Sequence, residues 1–494
     1  RKSLNEVTQN SHGHALAKTL SWPHLIALGV GAIVGTGIYT LTGVGAERAG
    51  PAVILAFAIA GAVCACAALA YTELATMIPA AGSAYTFSYA AIGEAAAWVV
   101  GWSLILEYSL ACSTVAVGWS GYLVGWIQSA GVELPHALLV GPHAGGIINL
   151  PAVLVALAVM GMLIAGTRES ATLNIILVII KLLALGAFVL FAMPALDSGN
   201  LQPFMPYGFT SEVGPDGVKR GVMAAAAIVF FAFYGFDAVA TSAEEAKNPK
   251  RDLTIGIIGS MAVCTLIYML VAVAAVGALP YTQLANSPEP LALVLRTLNQ
   301  PVAAHLVALA AIIALPSVIL VMMYGQSRIF FVMARDGLLP EKLASIHPKW
   351  KTPHIVTMIT GVAVALFAAF LPVGKLADIS NSGTLFAFFM VAISVLILRM
   401  KQPDRHRPFK TPAVWLVAPL AILGTFGLYL NLPFDAKMVL PVWGTVGLVV
   451  YYLYGYRKSH VGRGIIDVHE DDADAPPVPV APMPGAHTPG GKDA

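Results

Sequence analysis

Charge is the scarcest ingredient of this sequence. Asp, Glu, Lys and Arg make up 11% of its 494 residues, where an ordinary soluble domain carries about a quarter, so a water-soluble globular fold is excluded. Cysteine is nearly absent. The four present, Cys64, Cys66, Cys112 and Cys264, all lie in apolar stretches, and Cys64 and Cys66, two apart, do not share a helix face; packing is expected of them, not metal or disulfide chemistry. No loop offers a nucleophile with its base or a metal constellation, which excludes a familiar enzyme site. A formal net charge of +2 carries no nucleic-acid signal. Ahead of the first apolar run, residues 1–20 are polar and show no signal-peptide pattern, so that run is expected to stay in the chain.

What the chain does have is hydrophobic length. Hydrophobic residues make up 58% and the mean hydropathy is +0.78. Runs of about 20 residues, long enough to cross a bilayer, recur at about 22–45, 52–77, 96–126, 147–166, 171–193, 221–243, 254–279, 302–332, 354–371, 383–399, 412–431 and 438–456. The expected fold is an all-α integral membrane protein with 12 transmembrane helices. Most of the 28 Lys and Arg fall on segments that are cytoplasmic if the N-terminus is inside, which predicts a multi-pass protein of the cell membrane with both termini cytoplasmic. Residues 457–494, acidic and then rich in Pro, Ala and Gly, are expected to be a disordered cytoplasmic tail.

"GVGAIVGTGIY", residues 29–39, lies inside the first run. A dinucleotide fingerprint would need a strand before it, and the flanks here are transmembrane. A small-xxx-small helix contact through Gly31 and Gly35 is one remaining reading. The other is a helix that unwinds between Val34 and Gly37, tolerable at membrane depth where it lines a polar cavity. The sixth run, "AAIVFFAFYGFDAVATSAEEAKNP", also carries a glycine, Gly235, and an ionisable residue, Asp237, in mid-membrane. The second comes five runs after the first, and an odd number of helices per repeat inverts the second copy. A 5+5 inverted repeat with broken helices 1 and 6, plus two extra helices, is therefore expected: residues 21–193 as the first repeat, 194–399 as the second, 400–456 as helices 11 and 12, after a cytoplasmic segment 1–20.

Such breaks make a site. Amides of Gly35, Thr36 and Gly37 suit a carboxylate, and carbonyls around Ala32 and Ile33, and around Phe231, Ala232 and Phe233, suit an ammonium. Together they describe an α-amino acid. Asp237 is expected to cap the inner half of helix 6, or else to touch substrate. Lys181 lies about nine residues from either end of its run, roughly 13 Å from each interface at 1.5 Å per residue; a structural cation on carbonyls and a functional group are both open to it. Glu107, about eleven residues into the third run, has three readings: lining the site, relaying protons, or bridging helices as a neutral acid.

The breaks, "GWSLILEYSLACSTVAVGWSGYL", "FYGFDAVATSAEEAKNPKRDLTIGI" and "YGQSRIFFVMARDGLLP" together resemble, over residues 20–456, the bacterial members of the cationic amino acid transporter branch of the amino acid, polyamine and organocation superfamily. The resemblance implies alternating access and amino acid import, by proton-coupled symport of small neutral or cationic L-amino acids, with exchange as the rival. It implies a substrate site at Ile33, Val34, Gly35, Thr36, Gly37, Glu107, Phe231, Ala232 and Tyr234. Phe231 would be an outer gate, and Met322 with Met323 would close the side-chain end. Lys181 would carry the coupling proton, touching helix 1 near Gly31 and helix 8 around Ser317. No cofactor or metal is expected, the coupling ion being H+. The implied partners are the amino acid and the lipid bilayer, without nucleic acid, and the oligomeric state is left open. The charged segments "TSAEEAKNPKRD" and "SRIFFVMARDGLLP" would lock an inner gate, or simply anchor the inner face.

Overall fold

A computed structural model describes residues 20–78, 82–166, 171–237, 239, 246–285, 287–350 and 352–459; the polar N-terminal segment and the acidic tail lie outside the described residues. The chain is helical. In order come α1 (Trp22–Ile33), α2 (Thr36–Tyr39), α3 (Leu41–Ala49), α4 (Val53–Met77), α5 (Ser83–Ala91), α6 (Glu94–Ser129), α7 (Leu150–Ile164) and α8 (Ala171–Ala192). A two-stranded ladder, β1 (Glu212–Val213) with β2 (Lys219–Arg220), precedes α9 (Val222–Val229). Then follow α10 (Pro249–Ala278), α11 (Tyr281–Leu284), α12 (Pro290–Thr297), α13 (Pro301–Arg335), α14 (His354–Phe370), α15 (Val373–Lys401), α16 (Val414–Asn431) and α17 (Phe434–Val450).

Among the described residues eight helical segments are long and apolar enough to cross a membrane, and four apolar helices are shorter: Trp22–Ile33, Leu150–Ile164, Val222–Ala232 and His354–Phe370. Two of the short ones are the first and sixth runs, cut where the glycines lie. The other two keep their place in the sequence as α7 and α14 but span only about 22–26 Å at 1.5 Å per residue. The first run also extends further than expected, to Ala49.

Local chemistry explains several starts. Proline stands in the first turn of α1, α7, α10, α12 and α13, where its missing N–H is no loss. The Asn149 side chain caps α7 by accepting from Ala152 N at 3.2 Å. On the tertiary level, α4 packs on α10, α6 on α13 and α7 on α14, while α1 lies against α8 and α10. α15 packs against α4, α5, α6 and α16.

The last helix is held to α6 by tryptophan. Trp102 and Trp443 stack at 4.7 Å, and each indole N–H donates to the other's carbonyl, at 2.9 and 2.8 Å. Trp98 stacks on Trp102 and donates to Gly447 O at 2.8 Å. These bonds give each indole N–H an acceptor that the hydrocarbon of a bilayer does not supply.

Candidate functional site

In the first run helical hydrogen bonding ends at Val34, whose N–H reaches Val30 O at 2.8 Å. Val34 and Gly35 are extended, Gly35 at φ −144 and ψ −150, and α2 opens at Thr36. The break is therefore two residues long, shorter than the expected stretch from Val34 to Gly37, because Ile38 and Tyr39 N–H already close on Gly35 O at 3.2 and 3.3 Å. As first-turn residues, Thr36 and Gly37 have amides with no intrahelical acceptor. In the sixth run α9 tightens into a 3-10 turn at Phe230–Ala232, the chain turns through Phe233 to Phe236, and Gly235 takes φ +127. Residues 29–43 and 224–237 are buried.

The two breaks meet backbone to backbone, each glycine against the other's alanine. A Cβ on Gly37 would stand 2.3 Å from Ala232 Cα, and one on Gly235 would stand 2.9 Å from Ala32 C. Only glycine permits this approach at both places, and at Gly235 the positive φ demands it as well.

Several carbonyls expected to be free are not. Ile33 O accepts from Tyr268 Oη at 2.8 Å and Phe233 O from the Cys64 thiol at 3.6 Å. Side chains arriving from α10 and α4 fill these positions, since an orphan carbonyl at this depth is costly. Gly31 O accepts from the Lys181 ammonium at 2.8 Å. That side chain is fully buried, and the Lys181 carbonyl in turn accepts from Tyr39 Oη at 3.4 Å. Ser317, the other expected neighbour, donates to Ala314 O within its own helix at 2.8 Å.

Beside the breaks lies a cavity of about 10 Å³ lined by Ala32, Tyr108, Tyr234, Gly235, Asp237, Val321, Met322 and Gly325. That is about one water in size, so the breaks have closed on each other. Tyr108 Oη donates to Asp237 Oδ2 at 2.5 Å and Tyr234 Oη to Met322 Sδ at 3.5 Å. Of the sequence-predicted residues, Tyr234, Asp237 and Met322 face this space. Ile33, Val34, Gly35, Thr36, Gly37 and Ala232 belong to the two breaks and are not among its lining residues, and Phe231 packs edge-on against Tyr234 at 5.5 Å. Met323 is buried in α13.

Glu107 does not line the cavity. It is buried toward α15, where a Cβ on Gly383 would sit 3.1 Å from Glu107 Cβ. Its carbonyl accepts from Ser380 Oγ of α15 at 3.2 Å, while its carboxyl Oε2 has no partner among the described residues. Its neighbour Tyr108 lines the cavity, and sequence reasoning missed it: consecutive helical residues point about 100° apart, and the charge drew attention to Glu107. Asp237 is described, but residues 238 and 240–245 lie outside the described residues, as does its expected capping contact. The same holds for part of the first charged gate segment. In the second, Asp336 accepts from Tyr85 Oη at 2.7 Å. Among the described residues no group of three His, Cys, Asp or Glu could hold a metal ion.

Comparison with known proteins adds a family. The family profile described as amino acid permease matches residues 20–454. A branched-chain amino acid permease of Bacillus subtilis (strain 168) is 42% identical, the match covering 94% of this chain and 98% of that one. A methylthioribose transporter of the same organism is 38% identical, over 94% of this chain and 99% of the relative. A vacuolar cationic amino acid transporter of Arabidopsis thaliana is 40% identical, over 82% of this chain and 64% of the longer relative.

Proposed function

The chain belongs to the amino acid permease family and is a multi-pass membrane transporter of amino acids; from that premise we propose that it imports neutral L-amino acids by proton-coupled symport, at the paired breaks of the first and sixth runs. The observation that carries this reading is the reciprocal contact of Gly37 with Ala232 and of Gly235 with Ala32 beside a cavity walled by Tyr108, Tyr234 and Met322. Separating the breaks uncovers the Thr36 and Gly37 amides at the positive end of the outer half-helix, which suits a carboxylate. The side chain then faces Val321, Met322 and the tyrosine rings. Glu107, the carboxylate that would favour a cationic side chain, is turned toward α15 instead. The branched-chain specificity named for the Bacillus subtilis relative points the same way.

Twelve passes in a 5+5 inverted repeat with two extra helices is part of the proposal. It is supported by the pairing of corresponding elements, α4 on α10, α6 on α13 and α7 on α14, as a twofold axis between repeats requires. It is supported also by a short helix before each long one, α5 before α6 and α12 before α13. Lys181 is the proposed proton carrier. Its ammonium, held on Gly31 O two residues before the first break ends α1, is placed so that losing its proton loosens that helix end. The cell membrane, with both termini cytoplasmic, is the proposed setting.

Thermal melting of the purified protein with each of the twenty amino acids tests substrate class. A ligand at 100 times its Kd adds about 2.7 kcal/mol of stability, so leucine-like and alanine-like amino acids should raise the melting temperature and lysine or arginine should not. The reverse pattern would overturn the neutral assignment. Uptake into proteoliposomes that requires amino acid inside, and ignores a pH gradient, would make the protein an exchanger.

A further inference from the structure

Arg48 stands at the end of the half-helix that begins at Thr36, far from the cavity, and it is not left to solvent. Its guanidinium grips Asp378 of α15 through two bonds, Nη1 to Oδ1 at 3.0 Å and Nη2 to Oδ2 at 2.5 Å. Both residues are buried, at 7% and 3% exposure. Three residues further along α15, on the same face, Asn381 Nδ2 donates to Ala227 O at 2.8 Å and Ile228 O at 3.0 Å. Those carbonyls are in the last turn of α9. They stand just before the 3-10 turn at Phe230–Ala232, where the regular i+4 bonding of α9 gives out. Asn381 thus grips α9 at the turn where that helix gives way to the break. Asn381 Oδ1 is buried and has no partner among the described residues.

One turn of one helix therefore holds the outer halves of both broken helices. We propose that Asp378 and Asn381 are positioning residues of the transport cycle, forming a clasp that is shut in this conformation and must open before substrate enters from the Arg48 face. The proposal rests on the carrier reading. A buried ion pair is poor value as a static brace, because a well-packed apolar pair does as well or better. It is well suited to a contact that is made and broken, since its bidentate geometry admits one closed arrangement. α15 can serve as the fixed jaw because it packs on α4, α5, α6 and α16. Glu47, Asp435 and Lys219 also act on the pair, and Asp435 is itself paired with Lys375 at 3.1 Å, so neutralising Asp378 leaves a charged surround.

Ile228 reports the state of the clasp. It is fully buried, and a Cβ on Gly374, at the start of α15, would lie 3.9 Å from its Cδ1. In the full chain carrying Ile228→Cys, reaction of that thiol with a membrane-impermeant maleimide, added to either face and read by mass spectrometry, should be slow. Asp378→Asn should speed it by about tenfold or more, the worth of one charged hydrogen bond, from one face only. Asn381→Ala should act in the same direction without changing charge. Arg48→Lys, which keeps charge and loses the fork, should fall between. In transport, Asp378→Asn should lower the maximal rate without raising the half-saturating concentration from the Arg48 face, a split that mere loss of folded protein would not give together with faster labelling. Equal labelling in the parent and in monodisperse Asp378→Asn and Asn381→Ala proteins overturns the clasp. Should Asp378→Asn not fold, Asn381→Ala decides alone. The labelling needs no substrate, so a parent that binds and moves no amino acid would sink the carrier reading separately.

Discussion

Gly37→Ala tests whether the two breaks must touch. The new methyl would lie 2.3 Å from Ala232 Cα, 2.6 Å from its Cβ and 3.0 Å from its N. Carbon atoms rest about 3.5–4.0 Å apart, so the breaks would have to separate by more than about 1 Å. Overfilling a packed interior by one methyl costs about 1–3 kcal/mol. The upper end applies here, because the nearest atom belongs to the backbone and no rotamer change moves it. Gly35→Ala is the matched control. Its Cβ would meet nothing closer than Val318 at 3.5 Å, and the extended backbone of Gly35 at φ −144 accepts any residue, so its cost should stay within about 0.5 kcal/mol. Ala232→Gly adds a second control: it removes the Cβ and leaves the Cα in place, so it should recover only a minor part of the Gly37→Ala loss. Melting of the detergent-purified variants measures the cost, and leucine uptake into proteoliposomes measures function. A Gly37→Ala protein that melts and transports like the parent, or full rescue by Ala232→Gly, would refute the close-contact argument.

Other outcomes can be checked with the same preparations. Lys181→Met keeps most of the volume and removes the bond to Gly31 O; a pH gradient should no longer drive accumulation, while counterflow of substrate at equal pH persists, and unaltered gradient dependence would exclude Lys181 as the carrier. Met322→Ala should enlarge the cavity and let bulkier neutral amino acids such as phenylalanine compete for uptake, seen as a lower inhibition constant. In the β1–β2 loop, the hydrogen bonds from Arg220 hold the Asp216 carboxyl down at about 2. A depressed carboxylate favours the folded loop above its ordinary value of about 3.9 and loses that preference as pH falls toward about 2, so protease resistance of this loop should be constant from pH 8 to 5 and fall below 4.

The sequence carried the breaks because glycine marks them locally. Gly35, Gly37 and Gly235 are visible without any partner, and so is the depth of Lys181. What they press against is not visible, for the contacts join residues far apart in the chain: Gly37 to Ala232, Lys181 to Gly31, Tyr268 to Ile33. For the same reason Ile33 and Phe233 looked like free acceptors until side chains from other helices were seen to occupy them. Arg48 and Asp378 are 330 positions apart, and nothing near either residue announces the other. Tyr108 stood next to a conspicuous glutamate and was overlooked, since which of two neighbours on a helix faces inward depends on rotation set by packing. The run expected at 147–166 overshoots α7 at both ends because its flanks are also apolar, whereas the run expected at 354–371 ends within one residue of α14.

The interlocked indoles of Trp98, Trp102 and Trp443 decide what cannot slide. Every one of them spends its N–H on the facing helix, and two do so reciprocally, so any axial shift of α17 along α6 would strand donors and acceptors together in hydrocarbon. The final helix is thereby riveted to the frame, and whatever rearrangement carries cargo across must be taken up elsewhere, by the segments that meet at Gly37 and Gly235.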